Sequence, residues 1–130
     1  HCVIGKHDGP TNKASNLNQI YEFIVKHEKE QNIQYDIFVL HDSEDLIHPL
    51  SFKVYNYLID RADMIQVPIF PLEPSVFNFT HWIYNDEFAE IHTKDIIVRE
   101  AIKGLVPSAG VGTAFSRRAI EVLKVAREGL

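Results

Sequence analysis

Short apolar runs in this chain alternate with longer segments in which apolar residues recur every three or four positions. Unbroken apolar runs of about four to eight residues are typical of buried strands, whereas the longer period is that of a helix with one buried face. We predict four strands, at Cys2–Lys6, Tyr35–Leu40, Met64–Phe70 and within Val106–Phe115. The third run is apolar at nearly every position, with Gln66 as the polar exception, which favours a central strand.

The helical period predicts four helices between and after these strands. They are expected at about Lys13–Gln31, from Pro49 to the polar run at Asp60, from Phe77 to about Lys103, and at Arg117–Arg127. Strands that alternate with helices favour a parallel sheet with helices on its faces. The predicted fold class is therefore α/β, in a single domain over residues 1–130 with a mostly parallel sheet.

The composition narrows the classes of partner. The chain has 130 residues, of which 45% are hydrophobic, enough for one domain with a buried core. Its net charge of −5 argues against nucleic acid as a partner, because phosphate backbones are bound by clusters of Lys and Arg. A single cysteine, Cys2, excludes a disulfide framework and fits a reducing compartment. No apolar run approaches the roughly 20 residues of a membrane span, so we expect a soluble chain.

A cluster of acidic residues follows the second predicted strand, where the apolar run Ile37–Leu40 leads into Asp42, Glu44 and Asp45. Carboxylates this close repel one another unless a cation or hydrogen-bond donors lie among them. Ligands collect at the carboxyl ends of parallel strands, and Mg²⁺ and Mn²⁺ bind carboxylates together with phosphate oxygens. The same pattern is also that of a turn that caps the helix after Pro49, and the residues leave both interpretations open.

Two further segments could contact an anionic ligand. Lys13 lies at the start of a predicted helix, where free N–H groups and a positive charge attract anions. Capping of that helix by Asn12 and Ser15 is the alternative. Gly110–Gly112 lets a backbone approach a ligand closely, ahead of the basic doublet at Arg117, but a tight turn needs the same glycines.

Other polar residues carry weaker signals. Asp86 and Glu87 belong to an acidic stretch where either could act as a base, although acids at a helix start are usually solvated. His41, Asp42 and His48 would make a conceivable zinc site, but no pair of histidines has the close helical spacing of a zinc protease. We therefore place His41 as a neighbour of the acidic site.

Three of these segments, in this order, resemble the signature of glycosyltransferase family 2. Lys13–Asn18 (KASNLN) resembles its K-A-x-N-L-N motif, Phe38–Asp45 (FVLHDSED) its strand and acid-x-acid motif, and Gly110–Ile120 (GVGTAFSRRAI) its G-T-x-x-x-R-R-x-A-L block. The chain is still more similar to bacterial membrane glycosyltransferases of the phage adsorption protein B type, over nearly its whole length. The segments that carry this closer resemblance are Gly9–Ala14, His41–Leu50, Asp86–Glu90 and Leu105–Thr113.

The resemblance implies a GT-A fold with a Rossmann-like sheet, a nucleotide-diphosphate sugar as donor and an unknown acceptor. It implies that Asp42, Glu44 and Asp45 hold Mn²⁺ or Mg²⁺ against the diphosphate, with Glu44 in place of a more usual Asp. The other ligand contacts that it implies are Lys13 and Asn16 in the first motif, and Gly112, Thr113 and Arg117 in the last.

The chain also departs from the family pattern. Family 2 domains begin with a strand and helix that grip the nucleotide base, and they usually carry the catalytic base after the Arg-Arg block. Here only Ala119–Leu130 follow that block, so Asp86 or Glu87 would have to stand in as the base. We therefore expect the central part of a catalytic domain, truncated at both ends and inactive or nearly so alone.

The resemblance also suggests a location and an assembly. It implies a longer protein on the cytoplasmic face of the bacterial inner membrane, whose other parts contact the membrane. A missing strand would leave a sheet edge open and favour pairing with a second copy.

Two other functions stay in view. A nucleotidyltransferase also combines a metal, a nucleotide and a Rossmann-like sheet, but the first predicted strand lacks a Gly-rich loop with Arg and Lys. A non-catalytic module would keep the same core as a surface for a nucleotide sugar or another protein. Metal-dependent donor binding that is lost in Asp42→Ala distinguishes the enzyme from a protein-interaction module.

Overall fold

The computed structural model describes residues 2–5, 12–72 and 79–128. The chain divides into a helical unit, His1–Asp36 with Arg117–Leu130, and a sheet unit, Ile37–Ser116. The elements in order are α1 (Lys13–Gln31), β1 (Ile37–Leu40), α2 (Ser51–Leu58), β2 (Met64–Gln66), α3 (Phe79–Glu90), a π-helical segment (Ile91–Asp95), α4 (Ile96–Ala101), β3 (Thr113–Ser116) and α5 (Arg117–Glu128).

Helix α1 forms with the predicted bounds, and local capping explains them. Asn12 precedes the helix in an extended conformation, and its Oδ1 accepts the Ser15 N–H at 2.7 Å, which satisfies a donor that the first turn leaves unpaired. The helix ends at Asn32, whose φ of 52° lies in the left-handed region that Asn tolerates. The capping role of Asn12 that the sequence left open is therefore observed.

The sheet has the strand order β1-β3-β2, and both of its pairings are antiparallel. The predicted mostly parallel sheet is therefore wrong for the part of the chain that the structure describes. Strands β1 and β2 do run in the same direction, as strands joined through a helix should. They do not pair with each other, however, because β3 returns between them in the opposite direction and takes the hydrogen bonds of both.

Several predicted boundaries also change. No strand forms at residues 2–5, and Lys6, the end of that predicted strand, lies outside the described residues. Strand β2 stops at Gln66, since Pro68 soon follows and cannot donate to a ladder. Helix α2 begins at Ser51, two residues after the predicted Pro49.

The long predicted helix over Phe77–Lys103 starts outside the described residues, and within them it is interrupted by the π-helical segment. There the Ile96 N–H donates to Ile91 O, five residues earlier, which is the mark of one extra residue in a helical turn. His92 is buried in this segment with its ring centroid 4.6 Å from that of Phe88. Burial lowers the pKa of His92, because the charged imidazolium is poorly solvated there.

The core of the sheet unit lies where α2 covers the sheet. Tyr55 of α2, Ile65 of β2 and Ala114 of β3 form a buried cluster. Three of the four residues of β3 are buried, because the strand has a partner strand on each side. Within residues 2–5, 12–72 and 79–128, no helix is both long and apolar enough to cross a membrane.

Candidate ligand site at one end of the sheet

Three chain segments meet at one end of the sheet. Strand β1 ends at Leu40, β2 ends at Gln66 and β3 begins at Thr113, and Thr113 is the register partner of both. The acid loop, residues 41–45, continues from β1, and the glycine loop, residues 108–112, leads into β3. Two segments far apart in the sequence are therefore brought to the same end of the sheet.

The acid loop is folded by one of its own carboxylates. Asp45 Oδ2 accepts the Asp42 N–H at 2.9 Å and lies 3.0 Å from His41 Nδ1. The side chains of His41 and Asp45 are 19% and 21% exposed, whereas Asp42 and Glu44 are exposed residues. Ser43 Oγ donates to Glu44 Oε2 at 3.0 Å. The loop therefore turns Asp45 inward as a structural acceptor and leaves Asp42 and Glu44 on the surface.

This geometry bears on the predicted metal ligands. Among the residues that the structure describes, no group of three or more His, Cys, Asp or Glu side chains is arranged to hold a metal ion. Asp42 and Glu44 still present carboxylate oxygens, the ligand type that Mg²⁺ and Mn²⁺ prefer. A cation there would need further oxygens from its ligand or from water. The metal-binding role of Asp42, Glu44 and Asp45 stays a prediction.

The conceivable zinc site gains no support from the geometry. His48 Nδ1 accepts the Leu50 N–H at 3.2 Å, just before helix α2, and His41 Nδ1 faces Asp45. In both histidines, Nδ1 is therefore engaged by a residue two to four positions along the chain. His41 lies in the acid loop itself, as expected for a neighbour of the acidic site.

The glycine loop is fixed by hydrogen bonds to its last residue, Gly112. The Gly112 N–H donates to Leu40 O at 2.8 Å, which ties this loop to the end of β1. Gly112 has a φ of 60°, and a Cβ there would lie 3.2 Å from Val67 Cγ2. Both the backbone conformation and the lack of space therefore require glycine at this position. Gly110 also has a positive φ, of 79°.

Thr113 is fully buried, and its hydroxyl is engaged inside the sheet end. The hydroxyl donates to Gln66 Oε1 at 2.6 Å and lies 3.0 Å from Ser108 Oγ. Gln66 Oε1 also accepts the Ala109 N–H at 2.9 Å. Direct contact of Thr113 with a ligand stays a prediction, but its observed role is to join the glycine loop to β2.

Gln66 belongs to the site, although its position in the sequence predicted no role for it. Its Nε2 donates to the carbonyls of Val67, Val111 and Gly112 at 2.9, 3.0 and 3.3 Å. The available signal was its position as the lone polar side chain in an apolar strand, since a polar group buried in a sheet needs partners. The sequence could not show that those partners come from a loop more than forty residues later.

Three predicted ligand residues lie in the helical unit instead. Lys13 and Asn16 are exposed in the first turn of α1. Arg117, at the start of α5, donates from Nη1 to Glu28, from Nη1 to Tyr35 O at 3.3 Å, and from Nε to Glu121 at 2.8 Å. Ligand binding by these three residues stays a prediction, and the guanidinium of Arg117 has protein partners on two of its nitrogens.

The Glu28–Arg117 pair has a clear electrostatic signature. Glu28 is only 6% exposed, and its carboxylate also accepts the Tyr35 N–H at 2.7 Å. The hydrogen bond from Arg117 holds the pKa of Glu28 below its usual value, despite the opposing effect of burial. The same bond raises the pKa of Arg117, so the pair is fully charged at neutral pH.

The weak candidates for a catalytic base lie on α3. Asp86 and Glu87 are exposed there, and neither makes a hydrogen bond or ion pair with other residues in the described ranges. They are the eighth and ninth residues of this twelve-residue helix rather than part of its start, and charged side chains on a helix surface are ordinarily exposed. Their catalytic role therefore stays a prediction.

The chain matches a known protein family. Residues 37–128 match the family described as Glycosyl transferase family group 2, and the chain belongs to that family. The predicted resemblance to glycosyltransferase family 2 is thereby confirmed.

Two curated relatives agree with this assignment. The chain is 46% identical, over all 130 residues, to bacteriophage adsorption protein B of Escherichia coli strain K12 and to bacteriophage N4 adsorption protein B of Escherichia coli O157:H7. It spans 17% of the length of each relative. No solved structure matches the chain.

Proposed function

We propose that the chain is the donor-binding core of a glycosyltransferase domain with a GT-A fold, which transfers a sugar from a nucleotide diphosphate to an acceptor in a metal-dependent reaction. The observation that carries the proposal is the hydrogen bond from Gly112 N–H to Leu40 O, at 2.8 Å. It joins the acid loop and the glycine loop, two motifs of the family signature, at one end of one sheet. An exposed carboxylate pair and a glycine turn side by side suit a metal-bound diphosphate.

Within this proposal the side chains have distinct tasks. Asp42 and Glu44 would hold Mn²⁺ or Mg²⁺ together with the diphosphate, where such an ion would supply positive charge for the leaving nucleotide. Asp45 contributes its second oxygen, Oδ1, while Oδ2 keeps the loop folded. The backbone at Gly112 and Thr113 borders the sugar.

The family motifs assign ligand contacts to further residues, on their sequence positions alone. Lys13 and Asn16 approach the phosphates, since a positive charge at a helix start favours an anion. The family motif assigns Arg117 to the acceptor side, and Asp86 or Glu87 serves as the base. The activity belongs to the longer protein, with the cytoplasmic face of the inner membrane as its location and with the sugar and acceptor selected partly by other segments.

The alternative function is a non-catalytic module that keeps the same core as a surface for a nucleotide sugar or a protein. The absence of a metal-holding group of three side chains in the described ranges favours it. Strand β1 also pairs on one edge only within those ranges, which would suit a second copy of the chain added as a strand.

A calorimetric titration tests the proposal. The chain is titrated with UDP-glucose, UDP-galactose, UDP-N-acetylglucosamine and GDP-mannose, each with Mn²⁺ and with EDTA, and Asp42→Ala is compared with Asp60→Ala. Asp60 is an exposed carboxylate after α2 and serves as the matched control. We expect Mn²⁺-dependent binding that Asp42→Ala loses and Asp60→Ala keeps. Binding by neither protein, with both folded, would leave the protein-interaction module as the better function.

A further inference from the structure

The carbonyl oxygen of Gly112 has an unusual number of donors. It accepts from the Val67 N–H at 3.1 Å, from the Tyr55 hydroxyl at 3.2 Å and from Gln66 Nε2 at 3.3 Å. These donors come from α2, from the end of β2 and from the residue after it. With the Gly112 N–H donating to Leu40 O, a single glycine is held from both of its peptide groups by three segments.

Gln66 places nearly its whole hydrogen-bonding capacity on this loop. A glutamine offers two donor hydrogens and one carbonyl oxygen with two lone pairs. Its oxygen accepts from Ala109 and Thr113, and its nitrogen faces the carbonyls of Val111 and Gly112. Replacement by an apolar residue would remove all of these bonds while leaving β2 itself paired with β3.

The Tyr55 hydroxyl also serves the glycine loop, through its hydrogen bond to Gly112 O. The ring is the centre of the buried cluster and is 1% exposed, so a phenylalanine would fill the same space. Burial raises the pKa of the hydroxyl, which keeps it a neutral donor. Compared with a phenylalanine, the tyrosine therefore adds one hydrogen bond, to Gly112 O.

The loop needs such support. Two of its five residues, Gly110 and Gly112, are glycines with positive φ, and glycine loses more conformational freedom on ordering than any other residue. A loop ordered before the ligand arrives spares the ligand that entropic cost and so binds it more tightly.

We propose that Gln66 and Tyr55 are positioning residues of the ligand site: without touching the ligand, they hold Gly112 and the glycine loop in the conformation that the nucleotide sugar binds. The inference rests on the proposed function for its ligand, whereas the ordering of the loop can be measured without one.

The test uses Gln66→Leu and Tyr55→Phe, with Ser116→Ala as the matched control. Ser116 Oγ donates to Asp63 Oδ1 at 2.7 Å, so it too joins β3 to the β2 side, but at the opposite end of the sheet. Thermal unfolding of each variant gives its loss of stability. Calorimetry with Mn²⁺ and the four nucleotide sugars named above gives the affinity for the ligand. Amide hydrogen exchange at Ala109 and Gly112 reports how well the loop is ordered.

We expect Gln66→Leu and Tyr55→Phe to weaken donor binding about tenfold, the effect of roughly one hydrogen bond's free energy, and to speed exchange at both amides. Ser116→Ala should lose comparable stability yet keep wild-type affinity and loop exchange. Equal affinity losses in all three variants would overturn the proposal, because general destabilisation would then explain them.

Two outcomes keep this test separate from the proposed function. If the wild-type chain binds none of the four donors, the proposed function fails, and the exchange data decide the positioning role: unchanged protection in the folded variants contradicts it. If Gln66→Leu does not fold, Tyr55→Phe decides, since it removes only one oxygen atom from a packed ring.

Discussion

The acid loop and the Glu28–Arg117 pair treat charge in opposite ways. In the acid loop, Asp42 and Glu44 are exposed, and the bonds by which Asp45 and Ser43 fold the loop join residues at most four positions apart. Glu28 is 6% exposed and is bound by Arg117, which lies 89 positions away. A charge on the surface is solvated by water, whereas a buried charge needs a partner within the protein.

The comparison shows what a family motif does and does not reveal. Asp42 and Arg117 both lie in motifs of glycosyltransferase family 2, and the sequence assigned both to the ligand. The structure leaves Asp42 outward but gives the guanidinium of Arg117 two carboxylate partners. Motif membership therefore does not distinguish an exposed carboxylate from a charged group that is bound within the protein.

Glu28→Ala is expected to have the largest effect on stability. It leaves Arg117 without its buried partner, and we expect the free energy of unfolding to fall by about 3 kcal/mol, at the low end for a broken buried pair because the Arg117 side chain is 22% exposed. Urea denaturation measures the change.

Glu30→Ala is the matched control in the same helix. The Lys26–Glu30 pair is 3.7 Å apart, with its side chains 76% and 56% exposed. Its loss should cost less than about 0.5 kcal/mol. A similar small cost for Glu28→Ala would show that the buried pair is not a structural clamp.

The next largest effect is expected at the glycine loop, from Gly112→Ala. An alanine would have to adopt a φ of 60° with its Cβ 3.2 Å from Val67 Cγ2, and we expect a loss of about 2 kcal/mol. At Gly104 φ is not positive, although a Cβ would lie 3.3 Å from Arg99 O, so Gly104→Ala should cost about 1 kcal/mol and isolates the effect of the backbone conformation. Chemical denaturation of both variants compares them, and equal effects would contradict the assigned strain.

The pattern of local signals explains how far the sequence could predict this fold. Helix α1 was predicted with its observed bounds because its apolar period and the Asn12 cap are both local. The antiparallel pairing of β3 between β1 and β2 was not predicted, because the residues of Thr113–Ser116 do not indicate which strands they will pair with. The acid loop was located from Asp42 to Asp45, but the inward turn of Asp45 depends on a hydrogen bond that only the folded loop contains.

The two units should also respond to acid in different pH ranges. The buried His92 of the sheet unit has a lowered pKa, so the unfolded chain binds its proton first and stability falls as pH drops below about 6.5. Glu28 of the helical unit also has a lowered pKa, and its contribution is lost only as pH falls below about 4.5.

We therefore expect His92→Phe to flatten the decline of stability between pH 6.5 and 4.5, and Glu28→Gln to flatten it only below that range. Urea denaturation from pH 8 to pH 3.5 measures both profiles. A His92→Phe variant whose profile parallels that of the wild type would show that the imidazole is not kept neutral by burial.

The smallest effect on stability is expected within the acid loop, where Asp45 and Glu44 can be compared. Asp45→Ala removes the acceptor of the Asp42 N–H and the partner of His41, and we expect a loss of about 1 kcal/mol, because the group is partly exposed and water replaces some of the bonding. Glu44→Ala removes an exposed carboxylate bonded only to the neighbouring Ser43, and should change stability by less than about 0.5 kcal/mol. Equilibrium denaturation at pH 7 measures both. If Glu44→Ala proved the more destabilising, the division of the loop into one structural carboxylate and an outward pair would be wrong.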